Sequence, residues 1–172
     1  MKNLHKTIIL IPLFIICGFL IYATSYQNVP KKNHVEYPSD MDFCGEKVPT
    51  DQADVKERLD REMLVNINLN ASTAILIKRA NKVFPIIVPI LAKYNVPDDF
   101  KYLAVIESGL INAISPSGAK GVWQFMPGTA KESKLEVTEQ VDERYHIEKS
   151  TQAACEYLIK AKNKFGNWTV AA

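Results

Sequence analysis

The sequence predicts an all-α fold for the body of the protein, and three observations support this. From about residue 51 onward, apolar residues recur at spacings of three and four, which is typical of amphipathic helices. Glycine and proline fall where such helices would begin or end. No segment alternates apolar and polar residues as a half-buried strand does. With 172 residues, 47% hydrophobic and 23% charged, the chain has the composition of a globular protein of about one domain, not of a disordered or disulfide-dense one.

Charge and the distribution of histidine and cysteine argue against two classes of function. The chain has 21 Lys and Arg against 19 Asp and Glu, and Lys2 and Lys6 stand in a leading segment without acidic residues. The rest is therefore close to neutral, which argues against a dedicated nucleic-acid binder. The three histidines are scattered, and no C-x-x-C or H-E-x-x-H motif is present. We therefore predict neither a metal site nor a cofactor.

The leading segment, residues 1–27, has the features of an export signal. A short basic stretch, Met1–Lys6, precedes an almost unbroken apolar run over Ile8–Ala23, as in the first two regions of a signal peptide. No clear cleavage site follows, so a cleaved signal peptide and a retained amino-terminal membrane anchor are both open interpretations. Either one places the remaining chain outside the cytoplasm.

Export bears on two of the three cysteines. Cys17 belongs to the apolar run, whereas Cys44 and Cys155 lie in the exported part. In an oxidising compartment these two thiols can form a disulfide. Both can equally stay free, because their spacing does not constrain the geometry of a bond. The sequence leaves the two interpretations open.

Composition divides the exported part into three regions. Residues 28–50 are rich in Pro, Lys, Asn and Asp, which is typical of a linker. Residues 51–80 are predicted to form a helical lead-in. Residues 81–172 are predicted to form the main helical domain.

Helical periodicity places three amphipathic helices in these regions. The residues expected on the apolar faces of the two lead-in helices are Val55, Leu59 and Met63 and, after a start at Asn70, Ala74 and Ile77. The longest predicted helix is Ile147–Phe165. The residues expected on its inner face are Ala154, Leu158, Ala161 and Phe165.

Prolines and an acidic cap predict two further helices between the lead-in and the helix Ile147–Phe165. Pro85 and Pro89 are expected to bracket a short apolar helix, Ile86–Tyr94, with a bend. Asp98 is expected to cap the following helix, Asp99–Ser108.

One acidic residue breaks the apolar pattern of the helix Asp99–Ser108. Glu107 shares a face with Phe100, Leu103 and Leu110, and the other faces are apolar too, so we expect Glu107 to be buried in the core. Burial and the negative end of the helix dipole both favour a protonated carboxyl group, which a general acid requires. The alternative is a glutamate that reaches solvent at a frayed helix end or pairs with a distant lysine.

The segment that follows Gly109, where this helix is expected to end, is rich in Gly, Ser and Pro. Glycines in the turn Ser115–Gly121 let the backbone approach a ligand closely. The next residues, Val122–Met126, set an amide among aromatic and thioether side chains, which suits a groove that binds sugar rings. Pro127 can then start a helix. The alternative for Val122–Met126 is a hydrophobic core strand or the start of a helix.

Together these motifs resemble the soluble lytic transglycosylase (SLT) domain family, murein-degrading enzymes with a goose-type-lysozyme-like fold. The resemblance extends from Ala80 to Ala172 and rests on five segments: Glu107-Ser108, Ser115–Gly121, Trp123–Ala130, Val141–Arg144 and Phe165–Trp168. Upstream, Phe43–Glu46 and Arg58–Arg61 resemble the membrane-bound murein transglycosylase D branch of the family. The resemblance implies a lysozyme-like, all-α domain over residues 81–172.

For the site, the resemblance implies a single catalytic acid/base, Glu107. It implies four substrate-binding residues, Ser108, Ser115, Gln124 and Met126. The implied substrate is the glycan strand of peptidoglycan on the periplasmic side of a bacterial cell envelope. The implied reaction cleaves the β-1,4 bond between N-acetylmuramic acid and N-acetylglucosamine and leaves a 1,6-anhydro sugar end, without a metal or cofactor.

Two other functions fit the same residues. One is a lysozyme-type hydrolase on the same fold, and the other is a non-catalytic murein-binding protein. Family members continue beyond the position of Ala171-Ala172 into an A-Y-N-x-G motif that supplies a tyrosine to the active site. This sequence stops there, so the resemblance implies a carboxyl-terminally incomplete domain. Either the sequence is a fragment of a longer protein, or the product is truncated and its turnover impaired.

Overall fold

A computed structural model describes residues 40–67 and 70–172. It is mostly helical, which confirms the predicted all-α class. The elements in chain order are β1 (Asp42–Phe43), β2 (Glu46–Lys47), α1 (Ala53–Ile67), α2 (Asn70–Lys93), α3 (Phe100–Ser108), α4 (Pro127–Glu132), a 3-10 helix (Glu143–Tyr145), α5 (Ile147–Phe165) and α6 (Trp168–Ala171). The predicted export segment lies outside the described residues. Within them, no helix combines the length and apolar character needed to cross a membrane.

Helices α2, α3 and α5 meet in the hydrophobic core. The side chains that are 0% exposed there include Ile87 and Leu91 of α2, Phe100 and Ala104 of α3, and Cys155 of α5. Complete burial of an aliphatic or aromatic side chain contributes about 1.5–3 kcal/mol. This packing holds the three helices together and supports the loop between α3 and α4.

The prediction that Pro85 and Pro89 bracket a separate helix is wrong. Helix α2 runs continuously from Asn70 to Lys93 with both prolines inside it. Neither proline can donate a backbone hydrogen bond to the carbonyl four residues earlier. Both lie on the exposed side of the helix, where water can replace the missing donors. Burial of Ile87 and Leu91 on the other side stabilises the continuous helix.

Some residues expected to face inward do not. Ile77 is 57% exposed and Ala74 is exposed, whereas Leu76 and Ala80 pack against the core. The core residues of α2 decide this, because steps of three and then four residues back from buried Val83 reach Ala80 and Leu76. At the other end of the chain, the side chain in the last turn of α5, Phe165, is 50% exposed and lies outside the core cluster.

The start of α3 differs from the prediction and its end agrees with it. Asp99, not Asp98, precedes the helix, and its carboxylate does not cap it. It accepts a hydrogen bond from the backbone N–H of Cys44 at 2.7 Å instead, while Asp98 pairs with a lysine. Gly109 ends the helix at a φ of 59°, and its N–H donates to the carbonyl four residues earlier, as expected of a glycine at this position.

The described end of the predicted linker packs against the helical body. Residues 42–47 form the antiparallel hairpin β1–β2. The ring of Phe43 in β1 meets the ring of Phe100 in α3 edge-on, with centroids 5.5 Å apart. This hairpin therefore shares an aromatic contact with the core.

Cys44 and Cys155 are both free thiols. Cys44 lies half-buried in the turn of the hairpin, and Cys155 is fully buried in α5. Burial raises the pKa of each thiol to about 12. Both thiols are therefore protonated near neutral pH, in the form that is a poor nucleophile.

Candidate functional site

A cleft of about 280 Å³ lies among α3, the loop between α3 and α4, α5 and α6. Its lining is mainly apolar and aromatic, with few polar side chains, which is typical of ligand sites that read shape and a few hydrogen bonds. The lining residues are Leu103, Glu107, Trp123, Gln124, Phe125, Met126, Thr129, Ala154, Tyr157, Leu158, Ala171 and Ala172. Three of the five predicted site residues, Glu107, Gln124 and Met126, thus meet in one cleft. The other two, Ser108 and Ser115, are not in the lining.

Glu107 lies in the last turn of α3 and is exposed, so the expectation that it is buried in the core is wrong. Helix α3 buries only one face, on which Phe100 and Ala104 are 0% exposed. The other face is open to solvent although it is apolar, and Ile106 there is 80% exposed. No side chain or backbone group in the described part of the chain forms a hydrogen bond or an ion pair with the Glu107 carboxylate. An unpaired acid therefore faces the cleft and is free to interact with a ligand.

Ser108 connects α3 to the loop that follows it. Its hydroxyl lies 2.8 Å from the carbonyl oxygen of Val122 and 3.1 Å from that of Ala104. It also accepts a hydrogen bond from the N–H of Leu110 at 3.1 Å. This side chain is therefore engaged by the protein itself, next to the residue that carries the unpaired acid.

Ser115 closes the turn Ser115–Ala119 inside the loop. Its backbone N–H donates to the Ala119 carbonyl at 2.9 Å, and its hydroxyl accepts from the Ala119 N–H at 2.9 Å. Lys120 then pairs with Phe125 across a backbone bridge. The turn that was expected to contact a ligand thus shapes the loop with its own hydrogen bonds.

Gly121 is required by the path of this loop. Its φ is +81°, and a Cβ at this position would lie 1.9 Å from the carbonyl oxygen of Arg144. Any other residue would therefore be strained and would collide with the backbone. The close approach brings residues 121–126 against the segment before α5.

Gln124 combines a strained backbone with a fixed side chain. Its φ is +48°, which is uncommon outside glycine. The side-chain amide donates to the carbonyls of Ala113 at 3.1 Å and Gly121 at 2.8 Å. Its side-chain oxygen accepts no hydrogen bond within the described residues, so this acceptor is available in the cleft. Met126, which is 42% exposed, adds a flexible apolar side chain beside it.

Trp123 and Phe125 line the cleft although each is only 7% exposed. The indole N–H of Trp123 donates to the hydroxyl of Thr151 in α5 at 2.9 Å. These rings therefore form the floor of the cleft, where little of their faces is open for stacking. Tyr157, which is 51% exposed, is an open aromatic side chain in the lining. Tyr157 was not predicted as a site residue. The sequence shows only that it precedes Leu158, which is expected on the inner face of α5.

Arg144 holds the loop from below, a role that sequence reasoning did not assign. It is 3% exposed. Its guanidinium donates twice to Asp142, at 2.8 Å and 2.7 Å, and also to the carbonyls of Gly118 at 2.9 Å and Phe125 at 3.1 Å. The hydrogen bonds that Arg144 donates to Asp142, with one from Lys120, lower the pKa of Asp142 to about 2. The bidentate pair with Asp142 thus fixes the Arg144 guanidinium, which in turn holds the loop at Gly118 and Phe125.

The arrangement suits proton transfer to or from a bound ligand, by one acid in a cleft with few other polar side chains. In the described part of the chain, no three His, Cys, Asp or Glu residues come together as a metal site. Glu107 is the single Asp or Glu side chain among the lining residues. Proton transfer by a positioned carboxyl group is a common device of enzymes that cleave acetals and esters.

Part of the chain is similar to known proteins. A model of the Transglycosylase SLT domain family matches residues 84–172. The Membrane-bound lytic murein transglycosylase D of Escherichia coli (strain K12) is 34% identical over 84 residues, or 46% of this chain and 19% of that protein. The Putative tributyltin chloride resistance protein of Alteromonas sp. (strain M-1) is 32% identical over 92 residues, or 52% of this chain and 44% of that protein. The chain therefore spans about a fifth of the first relative and less than half of the second.

The family match contains α3, the loop between α3 and α4, α5 and α6, which are the elements that build the cleft. It covers more than half of the chain, and the chain therefore belongs to the transglycosylase SLT domain family.

Proposed function

We propose that this protein is a peptidoglycan lytic transglycosylase in which Glu107 is the single catalytic acid/base. The observation that carries the proposal is the position of Glu107, unpaired and exposed in a cleft whose described lining contains no second Asp or Glu side chain. Family membership supports the reaction class, and the name of the Escherichia coli relative, a lytic murein transglycosylase, supports the substrate.

The chemistry follows from having one carboxyl group. Most glycosidases use two, one as acid and one as nucleophile or base, at separations of about 5–9.5 Å. With one, Glu107 first protonates the glycosidic oxygen, and the bond from that oxygen to C1 of N-acetylmuramic acid breaks. The N-acetyl carbonyl of the substrate stabilises the cationic C1. Glu107, now a carboxylate, removes the proton from the C6 hydroxyl as its oxygen attacks C1, which closes the 1,6-anhydro ring and restores the acid.

The protein's other side chains have two kinds of role in this proposal. Gln124 and Met126 contact the glycan from the loop, through the free amide oxygen and the thioether respectively. Tyr157 stacks on a sugar ring from α5. Ser108 and Ser115, which are held by backbone hydrogen bonds, position Glu107 and the loop around the bound strand.

We extend the proposal to the organisation and location of the chain. Residues 1–27 serve as an export signal or membrane anchor, 28–50 as a linker, 51–80 as a helical lead-in and 81–172 as the catalytic domain. The protein then acts on the periplasmic side of a bacterial cell envelope. The basic and apolar pattern of the leading segment supports this, as does the membrane-bound relative.

The proposal is tested by digestion of purified murein sacculi with wild-type protein and with Glu107→Gln. We expect the variant to lose at least about 100-fold in the rate of muropeptide release, with an unchanged Tm, because the exposed Glu107 carboxylate has no hydrogen bond or ion pair within the described residues. Glu139→Gln is the matched control, since Glu139 is an exposed carboxylate away from the cleft. Its rate is expected to equal that of the wild type.

Mass spectrometry of the products distinguishes the reaction types. Anhydro ends, lighter by one water than reducing ends, are expected from the wild type. Reducing ends would identify a lysozyme-type hydrolase instead, and equal activity of Glu107→Gln would remove this residue from the mechanism. Binding of the glycan without any product would identify a murein-binding protein.

A further inference from the structure

The hairpin β1–β2 lies outside the segment that matches the family, yet one of its carboxylates contacts α6, whose last residue helps to line the cleft. Glu46 in β2 accepts hydrogen bonds from the backbone N–H of Trp168 at 2.6 Å and of Thr169 at 2.9 Å. It also accepts one from the hydroxyl of Thr169. These contacts join residues 122 positions apart in the sequence. They connect the hairpin to the first turn of α6.

Helix α6 begins at Trp168, and the N–H groups of its first turn need acceptors from outside the helix. Its first three N–H groups have no acceptor within the helix. Glu46 supplies acceptors for Trp168 and Thr169, and the side chain of Asn167 accepts from the third, that of Val170, at 2.8 Å. The orientation of α6 is therefore set by these two side chains and by its packing on the body.

The end of α6 is part of the cleft lining. Ala171 is 7% exposed, and Ala171 and Ala172 line the cleft together with Glu107. At the start of the helix, the ring of Trp168 meets that of Phe100 edge-on at 5.4 Å, and Phe43 of the hairpin meets the same ring. A shift of α6 would thus displace one wall of the cleft relative to α3, which carries Glu107.

The hairpin itself is held by the body and not by its strands. Each strand has two residues, and an isolated hairpin of that size is not stable in water. Its turn residues, Cys44 and Gly45, have φ values of 56° and 77°, as a type I′ turn requires. The N–H of Cys44 donates to Asp99 at the start of α3. The hairpin therefore bridges the starts of α3 and α6.

We propose that residues 42–47 act as a clasp that sets the cleft wall formed by α6, with Glu46 as its positioning residue. This clasp adds to the family domain a structural element from the predicted linker. Its effect on turnover rests on the proposed transglycosylase function, whereas its effect on the order of α6 does not. In the proposed reaction the clasp acts on glycan binding, because Glu46 is not among the residues that line the cleft with Glu107.

The test compares Glu46→Gln with Glu139→Gln in the full chain. Glutamine keeps the size of the side chain but has one acceptor oxygen and no charge, so at least one of the three donors loses its partner. We expect amide hydrogen exchange of Trp168, Thr169 and Val170 to accelerate at least about tenfold in Glu46→Gln. Exchange in α5 is expected to stay as in the wild type, and Glu139→Gln is expected to change neither.

A second measurement separates positioning from a general loss of stability. With soluble glycan fragments of murein, Glu46→Gln is expected to raise KM about three- to tenfold and to change kcat less than twofold. A merely structural role would lower kcat with the fraction of folded protein and leave KM unchanged. Thr169→Val, which removes only the hydroxyl donor, is expected to give a smaller effect of the same kind that does not add to that of Glu46→Gln.

The outcomes decide the two proposals separately. Unchanged exchange at residues 168–170 in Glu46→Gln overturns the clasp. Accelerated exchange with an unchanged KM overturns its role in positioning the cleft wall. If the wild type releases no muropeptides, the proposed function fails, while the exchange experiment still decides whether the clasp exists.

Discussion

Two parts of the cleft lining are held in contrasting ways. The loop between α3 and α4 is fastened by Arg144, which is 3% exposed and makes four hydrogen bonds to Asp142 and to two loop carbonyls. Helix α6 is held by Glu46, a partly exposed side chain at the surface. Hydrogen bonds shielded from water are stronger than those that compete with it. The loop should therefore form a rigid wall of the cleft, whereas the position of α6 should depend more on solution conditions such as pH.

The difference matches what the two walls contribute. The loop carries Gln124, whose strained backbone and two amide hydrogen bonds require a fixed setting. Helix α6 contributes small alanine side chains that shape the cleft without offering polar groups. Loss of the first wall should unfold the site, and loss of the second should widen it.

The largest expected effect on stability comes from Arg144→Met, which removes the guanidinium and keeps an apolar side chain of similar length. Asp142 and the carbonyls of Gly118 and Phe125 then lose their donors in a mostly buried setting. We expect a destabilisation of about 4 kcal/mol, seen as a lower midpoint in urea denaturation. A change below about 1 kcal/mol would mean that packing alone holds the loop.

A smaller effect is expected for Gly121→Ala, which tests the loop wall without removing a charge. The added Cβ would meet the Arg144 carbonyl at 1.9 Å, and the φ of +81° disfavours alanine. We expect about 3 kcal/mol of destabilisation. Gly128→Ala is the matched control, since nothing lies within 4 Å of its Cβ, and it should be neutral or slightly stabilising in helix α4. Equal denaturation midpoints for the two variants would contradict the close approach.

The smallest expected effect is the loss of stability on acidification, which should differ between the two walls. Hydrogen bonds from Thr169 and Trp168 lower the pKa of Glu46 from its ordinary 4.5, whereas those from Arg144 lower the pKa of Asp142 from 3.8 to about 2. A lowered pKa stabilises the fold above the ordinary value, and this contribution is lost as the pH falls through the folded value. The contribution of Glu46 therefore starts to decline below 4.5, and that of Asp142 below 3.8 toward about 2.

Backbone amide NMR signals followed from about pH 6 to about pH 3 provide the measurement. Signals of Trp168 and Thr169 are expected to begin to shift within this range, whereas those of Gly118 and Phe125 are expected to stay nearly unchanged, because the pKa of Asp142 is about 2. In Glu46→Gln the first pair should no longer titrate in this range. Simultaneous shifts of both pairs in the wild type would contradict the contrast between the two walls.

Local signals in the sequence predicted much of the fold. The bounds of α5, the end of α3 at Gly109 and the start of α4 at Pro127 all agree with the structure. Each of these features depends on residues within one or two turns of each other, where periodicity and capping preferences act.

The sequence predicted three of the residues that line the cleft, but not their environment. Glu107, Gln124 and Met126 meet in the cleft, but the apolar pattern around Glu107 suggested burial, whereas the residue is exposed. An apolar helix face can line a core or an open cleft, and periodicity does not distinguish the two. Tyr157 and Arg144 were not assigned roles, because an exposed tyrosine and a charged residue near a helix start have no local signature of function.

The sequence by itself determined the helical class, the family motifs and most helix ends, because hydrogen bonds within a helix and the preferences of Gly, Pro and Asn act over a few residues. Only the tertiary structure decided that α2 continues through Pro85 and Pro89, because burial of Ile87 and Leu91 outweighs two lost hydrogen bonds on the exposed side. It also decided that Glu46 holds α6, since a contact across 122 residues exists only once the core between them has packed.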